Sequence, residues 1–169
     1  LEDRDNGSFV TADSLSLDIQ AGTWDGGFLN HGVTSSAWDR PYDAESADLD
    51  GDGNRDAIFA HTGSGDGLQV FPGNGDGSFG TPLGFSFGGD TNDVLLIDFD
   101  RDSDLDLVSA VSGLDRVEVL RNDSTPGNLV FTQLASVPVG DAPVRLAMGD
   151  LNGDLKPDVV VSNVGTNAT

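Results

Sequence analysis

Asp98-Phe99-Asp100-Arg101-Asp102-Ser103-Asp104-Leu105-Asp106, followed at once by Leu107-Val108-Ser109-Ala110, is the stretch that decides how this chain is to be read. Five aspartates fall within nine residues, at alternate positions, and end against an apolar run. Carboxylates held this close repel one another, so the pattern asks for a reason. It also returns twice. Asp48-Leu49-Asp50-Gly51-Asp52-Gly53-Asn54-Arg55-Asp56 precedes Ala57-Ile58-Phe59-Ala60, and Asp150-Leu151-Asn152-Gly153-Asp154-Leu155-Lys156-Pro157-Asp158 precedes Val159-Val160-Val161. The first aspartates stand at 48, 98 and 150, so the spacings are 50 and 52. Self-similarity at such a period marks a repeat architecture.

Other landmarks keep the same phase. Phe79 lies 19 residues before Asp98, and Phe131 lies 19 before Asp150. Four short strands are expected per repeat. One ends at the loop (Val94 to Ile97; Leu146 to Met148), and one leaves it (Ala57 to Ala60; Leu107 to Val111; Val159 to Ser162). A third is Leu68 to Phe71 or Val117 to Leu120, and a fourth starts near Phe79 or Phe131. Four strands in about 40–50 residues is the arithmetic of a propeller blade. The expected fold is all-β: three consecutive four-stranded antiparallel blades, forming an incomplete propeller or a strand-completed assembly.

The single array divides into residues 1–47 (the end of a blade plus an insertion of about 20 residues, near 22–40), repeat one at 48–97, repeat two at 98–149, and the start of repeat three at 150–169. The insertion carries Trp24, His31 and Trp38. Those residues read either as an extra hairpin covering a blade edge or as a ligand or interface site. Both termini fall in mid-blade by repeat phase, which suggests a segment of a longer array or end strands that complete a neighbour's blade.

The loops have the chemistry of a calcium site. Calcium takes six to eight oxygens at about 2.3–2.6 Å. Carboxylates at positions 1, 3 and 5 of a tight loop converge, position 7 offers its backbone carbonyl, and position 9 closes the shell. Loop one supplies Asp48, Asp50, Asp52, the Asn54 carbonyl and Asp56. Loop two supplies Asp98, Asp100, Asp102, the Asp104 carbonyl and Asp106. Loop three supplies Asp150, Asn152, Asp154, the Lys156 carbonyl and Asp158. An EF-hand would need Glu at position 12, where this chain has Phe59, Ser109 and Val161. Zinc would prefer His or Cys, and magnesium usually keeps several waters. About three structural calcium ions are therefore expected.

The global composition narrows the classes further. Twenty-nine Asp plus Glu against 8 Lys plus Arg leave a net charge of −21, which repels nucleic acid and anionic membranes. The regular apolar runs argue against a disordered acidic chain. The absence of Cys excludes disulfides and thiolate chemistry. No stretch approaches the roughly 18 apolar residues of a membrane span. His31 and His61, the two histidines, fall in no catalytic spacing, and Ser64 lacks a nucleophile-elbow context. Triplets beginning at Asn6, Asn122 and Asn167 have the form of glycosylation sequons.

The stretch from Val139 to Asp154 and the turn Gly73-Asn74-Gly75-Asp76-Gly77-Ser78-Phe79 resemble the FG-GAP/VCBS repeat, as do the three loops. The resemblance implies blades of four antiparallel strands with structural calcium in the hairpin between the first two. It also implies an extracellular or cell-surface setting and a role in adhesion, carbohydrate binding or scaffolding. The expected function is a non-enzymatic, calcium-stabilised structural or adhesive module that assembles edge to edge with further repeats or copies, as an oligomer or fibre. The alternatives are a lectin-like module that binds glycans and an accessory domain of a larger secreted hydrolase or lyase. The family's usual Gly at loop position 6 is Gly53 in loop one but Ser103 and Leu155 in the others. Leu155, together with one carboxylate fewer, makes loop three the weakest expected site.

Overall fold

The structure is a computed structural model, and it describes residues 40–63 and 67–165. The insertion residues Trp24, His31 and Trp38, and the sequons at Asn6 and Asn167, lie outside the described residues. Ten strands follow in order: β1 (Pro41–Ala47), β2 (Asp56–His61), β3 (Gly67–Phe71), β4 (Leu83–Ser86), β5 (Thr91–Ile97), β6 (Asp106–Val111), β7 (Arg116–Asn122), β8 (Phe131–Pro138), β9 (Pro143–Gly149) and β10 (Asp158–Asn163). One 3-10 turn, Ser112–Leu114, joins β6 to β7. Among the described residues there is no α-helix, and no helix is long and apolar enough to cross a membrane.

The strands form two four-stranded antiparallel sheets, β1-β2-β3-β4 and β5-β6-β7-β8, and a two-stranded sheet of β9 and β10. The two four-stranded sheets are simple up-and-down meanders, as expected for blades; the third is a two-stranded hairpin among the described residues rather than the expected four strands, and no sheet closes on itself. Every acidic loop joins the first strand of a sheet to the second. The register is the same across all three hairpins: Ala47 pairs with Asp56, Ile97 with Asp106 and Gly149 with Asp158.

The sheets stack face to face. Ile58, Ala60, Leu68 and Val70 of the first sheet pack with Val94, Leu107, Val111 and Leu120 of the second. From the opposite face of the second sheet, Ile97, Val108 and Val117 pack with Leu146 and Val161 of the third. A strand sandwiched in this way is apolar on both faces. That is why β6 reads as a continuous run, Leu107-Val108-Ser109-Ala110-Val111, rather than an alternation, and why all six of its residues are buried.

Carboxylates tie neighbouring first strands together. Asp43 Oδ2 accepts the Val94 N–H at 3.1 Å, and one repeat later Asp93 Oδ2 accepts the Leu146 N–H at 2.6 Å. Arg145 Nη1 adds a 2.7 Å ion pair to Asp93.

One expected strand differs. The fourth strand of the first sheet is Leu83–Ser86, not a segment beginning near Phe79. Residues 73–79 instead form a tight turn closed by a Gly73–Phe79 bridge, with Asn74 N–H donating to the Ser78 carbonyl at 3.0 Å. Phe79 serves as a packing residue, its ring edge-on to Phe71 at 6.3 Å between centroids. His61 ends β2 fully buried, inside the fold rather than in a cleft.

Candidate metal centre

Each acidic loop is wound by the same local rule. The position-1 carboxylate accepts the N–H of position 6: Gly53 to Asp48 at 2.9 Å, Ser103 to Asp98 at 3.2 Å and Leu155 to Asp150 at 2.9 Å. Position 3 accepts from position 5, as Asp52 N–H to Asp50, Asp102 N–H to Asp100 and Asp154 N–H to Asn152. Position 5 accepts from position 7, as Asn54 N–H to Asp52, Asp104 N–H to Asp102 and Lys156 N–H to Asp154. Position 9 reaches back to position 2, with Leu49 N–H to Asp56 at 2.8 Å, Phe99 N–H to Asp106 at 3.1 Å and Leu151 N–H to Asp158 at 2.9 Å. Short Asp and Asn side chains suit this work because they bond backbone N–H groups two residues on.

The winding needs left-handed backbone at two positions. Position 4 has φ of +71° at Gly51, +68° at Arg101 and +80° at Gly153; position 6 has +90° at Gly53, +82° at Ser103 and +62° at Leu155. Leu155 therefore adopts the conformation that glycine adopts in loop one, at a steric cost of about 1–2 kcal/mol. Its side chain projects into solvent. The second left-handed position, residue 4, was not foreseen from sequence, although Gly51 and Gly153 both mark it.

This winding brings oxygens of Asp48, Asp50 and Asp56 within 4.8 Å of one another, and likewise oxygens of Asp98, Asp100 and Asp106. Positions 1, 3 and 9 thus converge in loops one and two, while Asp52 and Asp102 are engaged with the backbone N–H of position 7. Loop three has the same hydrogen bonds but sets an amide, Asn152, among Asp150 and Asp158. Asn152 Nδ2 lies 3.4 Å from Asp158 Oδ1.

The electrostatics fit a hard cation. Burial, foremost, pushes the closing carboxyl groups of Asp56 and Asp106 above the ordinary carboxylate range. The backbone N–H groups bound to them pull the other way, and the neighbouring loop aspartates add to the rise. Asp98 Oδ1 is buried with no hydrogen-bond partner. A carboxylate oxygen shut away from water needs a compensating charge or donor, and a cation among Asp98, Asp100 and Asp106 would provide one. In loop three, burial also acts to raise Asp150, but four backbone N–H bonds, led by those of Gly153 and Leu155, hold it below the ordinary value.

Asn122 has a different place from the one its sequon suggested. It is 2% exposed, and its amide nitrogen donates to the Leu49 carbonyl at 2.7 Å and to the Leu105 carbonyl at 3.0 Å. A glycan has no access there, so this expectation is corrected.

Stacked four-stranded meanders, each carrying an acidic loop in its first hairpin, define a repeat module of β-propeller blade type. Residues 48–109 and 98–161 match the FG-GAP-like repeat in succession, and the chain belongs to that family. Comparison with curated proteins and with solved structures gave no significant match.

Proposed function

We propose that this chain is a calcium-stabilised, non-catalytic structural module of an extracellular or cell-surface protein, joined through its blade faces to further repeats or copies. The observation that carries the reading is the convergence of three carboxylates in each of loops one and two, with a buried and unpartnered Asp98 oxygen among them. Bound calcium would supply the positive charge that this set of oxygens lacks.

The case for a further blade rests on one comparison. Val108 and Val160 hold equivalent places, 52 residues apart, on the outward face of their sheets. Val108 is 3% exposed because the third sheet covers it, whereas Val160 is 45% exposed. Another repeat, in the same chain or a second copy, would fit that face.

The test is thermal unfolding in calcium and in EDTA. A ligand that binds only the folded state at about a hundred times its Kd adds roughly 2.7 kcal/mol per site. A melting curve that is identical in both buffers would remove the calcium reading. Light scattering at micromolar concentration tests association between copies, and a monomer in calcium counts against self-assembly.

A further inference from the structure

We infer that Asn122 couples cation occupancy of the first loop to that of the second; the inference rests on the calcium reading above. The connection is continuous. Asp56, which closes loop one, accepts the Leu49 N–H through Oδ2 at 2.8 Å. The carbonyl of the same Leu49 accepts the Asn122 side-chain amide at 2.7 Å. The Asn122 backbone N–H donates to Oδ1 of Asp106 at 2.7 Å, and Oδ2 of Asp106 accepts the Phe99 N–H at 3.1 Å, closing loop two. One residue and one side chain therefore separate the closing carboxylates of two loops in different sheets. Leu49 contributes its backbone N–H and carbonyl and the other members a carboxylate or an amide, and Leu49, Asp56, Asp106 and Asn122 are all buried, where such bonds are not traded for water.

The chain contains its own comparison. The residue matching Asn122 in the first sheet is Gly73, whose N–H likewise donates to Asp56 Oδ1 at 2.8 Å. Glycine keeps the bond within its own sheet and has no side chain to reach another loop. The backbone bond is thus the common device of the repeat, and the Asn122 amide is an addition that spans two sheets.

A cation on loop two fixes Asp106, hence the Asn122 backbone, hence the amide at Leu49. Loop one then has less ordering left to supply when it binds. By linkage the effect is reciprocal. A hydrogen bond of ordinary net worth corresponds to a coupling of about 5-fold in affinity.

The experiment is calorimetric titration with calcium chloride in a chain carrying Asp150→Ala, which silences the third loop. Adding Asp100→Ala disables loop two at an exposed residue outside the network and is expected to weaken loop one about 5-fold. Adding Asp48→Ala instead should weaken loop two by the same factor. In Asn122→Gly, which copies the Gly73 arrangement, both factors should fall below about 2-fold. Asn122→Leu fills the volume without a donor and serves if the glycine variant does not fold. The two loops binding independently in the native background would overturn the inference, as would a coupling factor that survives in the Asn122 variants. No calcium uptake at all would instead overturn the proposed function, and the inference with it.

Discussion

Replacing Asp98 by Asn should change stability in opposite directions with and without calcium. Asp98 Oδ1 is buried and unpartnered, and the Asp98 carboxylate brings an oxygen within 4.8 Å of oxygens of Asp100 and Asp106. Two unit charges 4.8 Å apart repel by about 0.9 kcal/mol in water and about 3.5 kcal/mol at an effective dielectric of 20. Asp100 is exposed and Asp98 partly so, and solvent screening there holds the repulsion near the lower end even though Asp106 is buried, so removing two such pairs should stabilise the cation-free chain by about 1–2 kcal/mol. Asn keeps the shape, can still accept the Ser103 N–H through its oxygen, and can donate into the vacated charge cluster. In a domain of this size each kcal/mol moves the midpoint by about 2–4 °C, so Asp98→Asn should melt roughly 2–8 °C higher than native in EDTA. In calcium at about a hundred times Kd, the variant forgoes roughly 2.7 kcal/mol of binding stabilisation at that loop. The order of melting temperatures then reverses. Differential scanning calorimetry of both chains in both buffers reads the four midpoints. A variant that is destabilised in EDTA, or that gains as much from calcium as the native chain, refutes the argument from charge crowding.

Four further outcomes are expected. Burial, first, raises the carboxyl groups of Glu45, Asp56, Asp93 and Asp106, so the folded cation-free chain holds more protons than the unfolded chain just above the ordinary carboxylate range. In EDTA these groups therefore make stability fall as pH rises through that window, from about 4 upward, whereas in calcium, where protons compete for the ligands, stability should rise with pH; melting scans across pH check the two slopes. Leu155→Gly should relieve the left-handed strain at φ +62° and raise stability by about 1 kcal/mol with or without calcium, read from urea midpoints. Ile58→Ala, fully buried between the first two sheets, should cost about 2–5 kcal/mol in the same assay. Gly67→Ala should abolish the native melting transition or lower it sharply, because a Cβ there would lie 1.7 Å from the Phe85 carbonyl oxygen.

The parts of this fold that were legible in the sequence are those fixed by local rules. The acidic loops could be read because each Asp serves a backbone N–H a set number of residues away, so the spacing is the structure. The second and third strands could be read because burial on both faces leaves unbroken apolar runs such as Leu107 to Val111. The fourth strand of the first sheet was misplaced because Leu83-Gly84-Phe85-Ser86 is short and partly exposed, whereas Phe79, a stronger apolar signal, belongs to a turn. Asn122 was misread because its partners, Leu49 and Leu105, come from two different loops, and no local pattern reports a contact 73 residues away. Glu118 belongs with it: fully buried in β7, it is held by Arg116, Gln133 and Ser136, an arrangement only the packed sheet supplies. The ties through Asp43 and Asp93 did leave a signal, since the two stand 50 residues apart in phase with the loops, but the loop aspartates overshadowed them.

The position-9 aspartate explains why the fold and the proposed cation are separable. Asp56, Asp106 and Asp158 each accept a backbone N–H from position 2 of their own loop, and that bond joins the two ends of the hairpin without any ion. The register of β1 with β2, β5 with β6 and β9 with β10 is therefore set by strand pairing and by this carboxylate. Positions 1, 3 and 5 also find N–H partners within the loop, so most of the aspartates are engaged before a cation arrives. What remains unbalanced is net charge, and in loop two the buried oxygen of Asp98. A cation acting on such a site tightens a hairpin that is already formed, in contrast to small zinc domains, where metal binding and folding are one event. The calcium-free chain should accordingly keep its β-sheet signature in far-ultraviolet circular dichroism while melting earlier. Loss of that signature on adding EDTA at room temperature would show that the loops, rather than the stacked sheets, hold the molecule together.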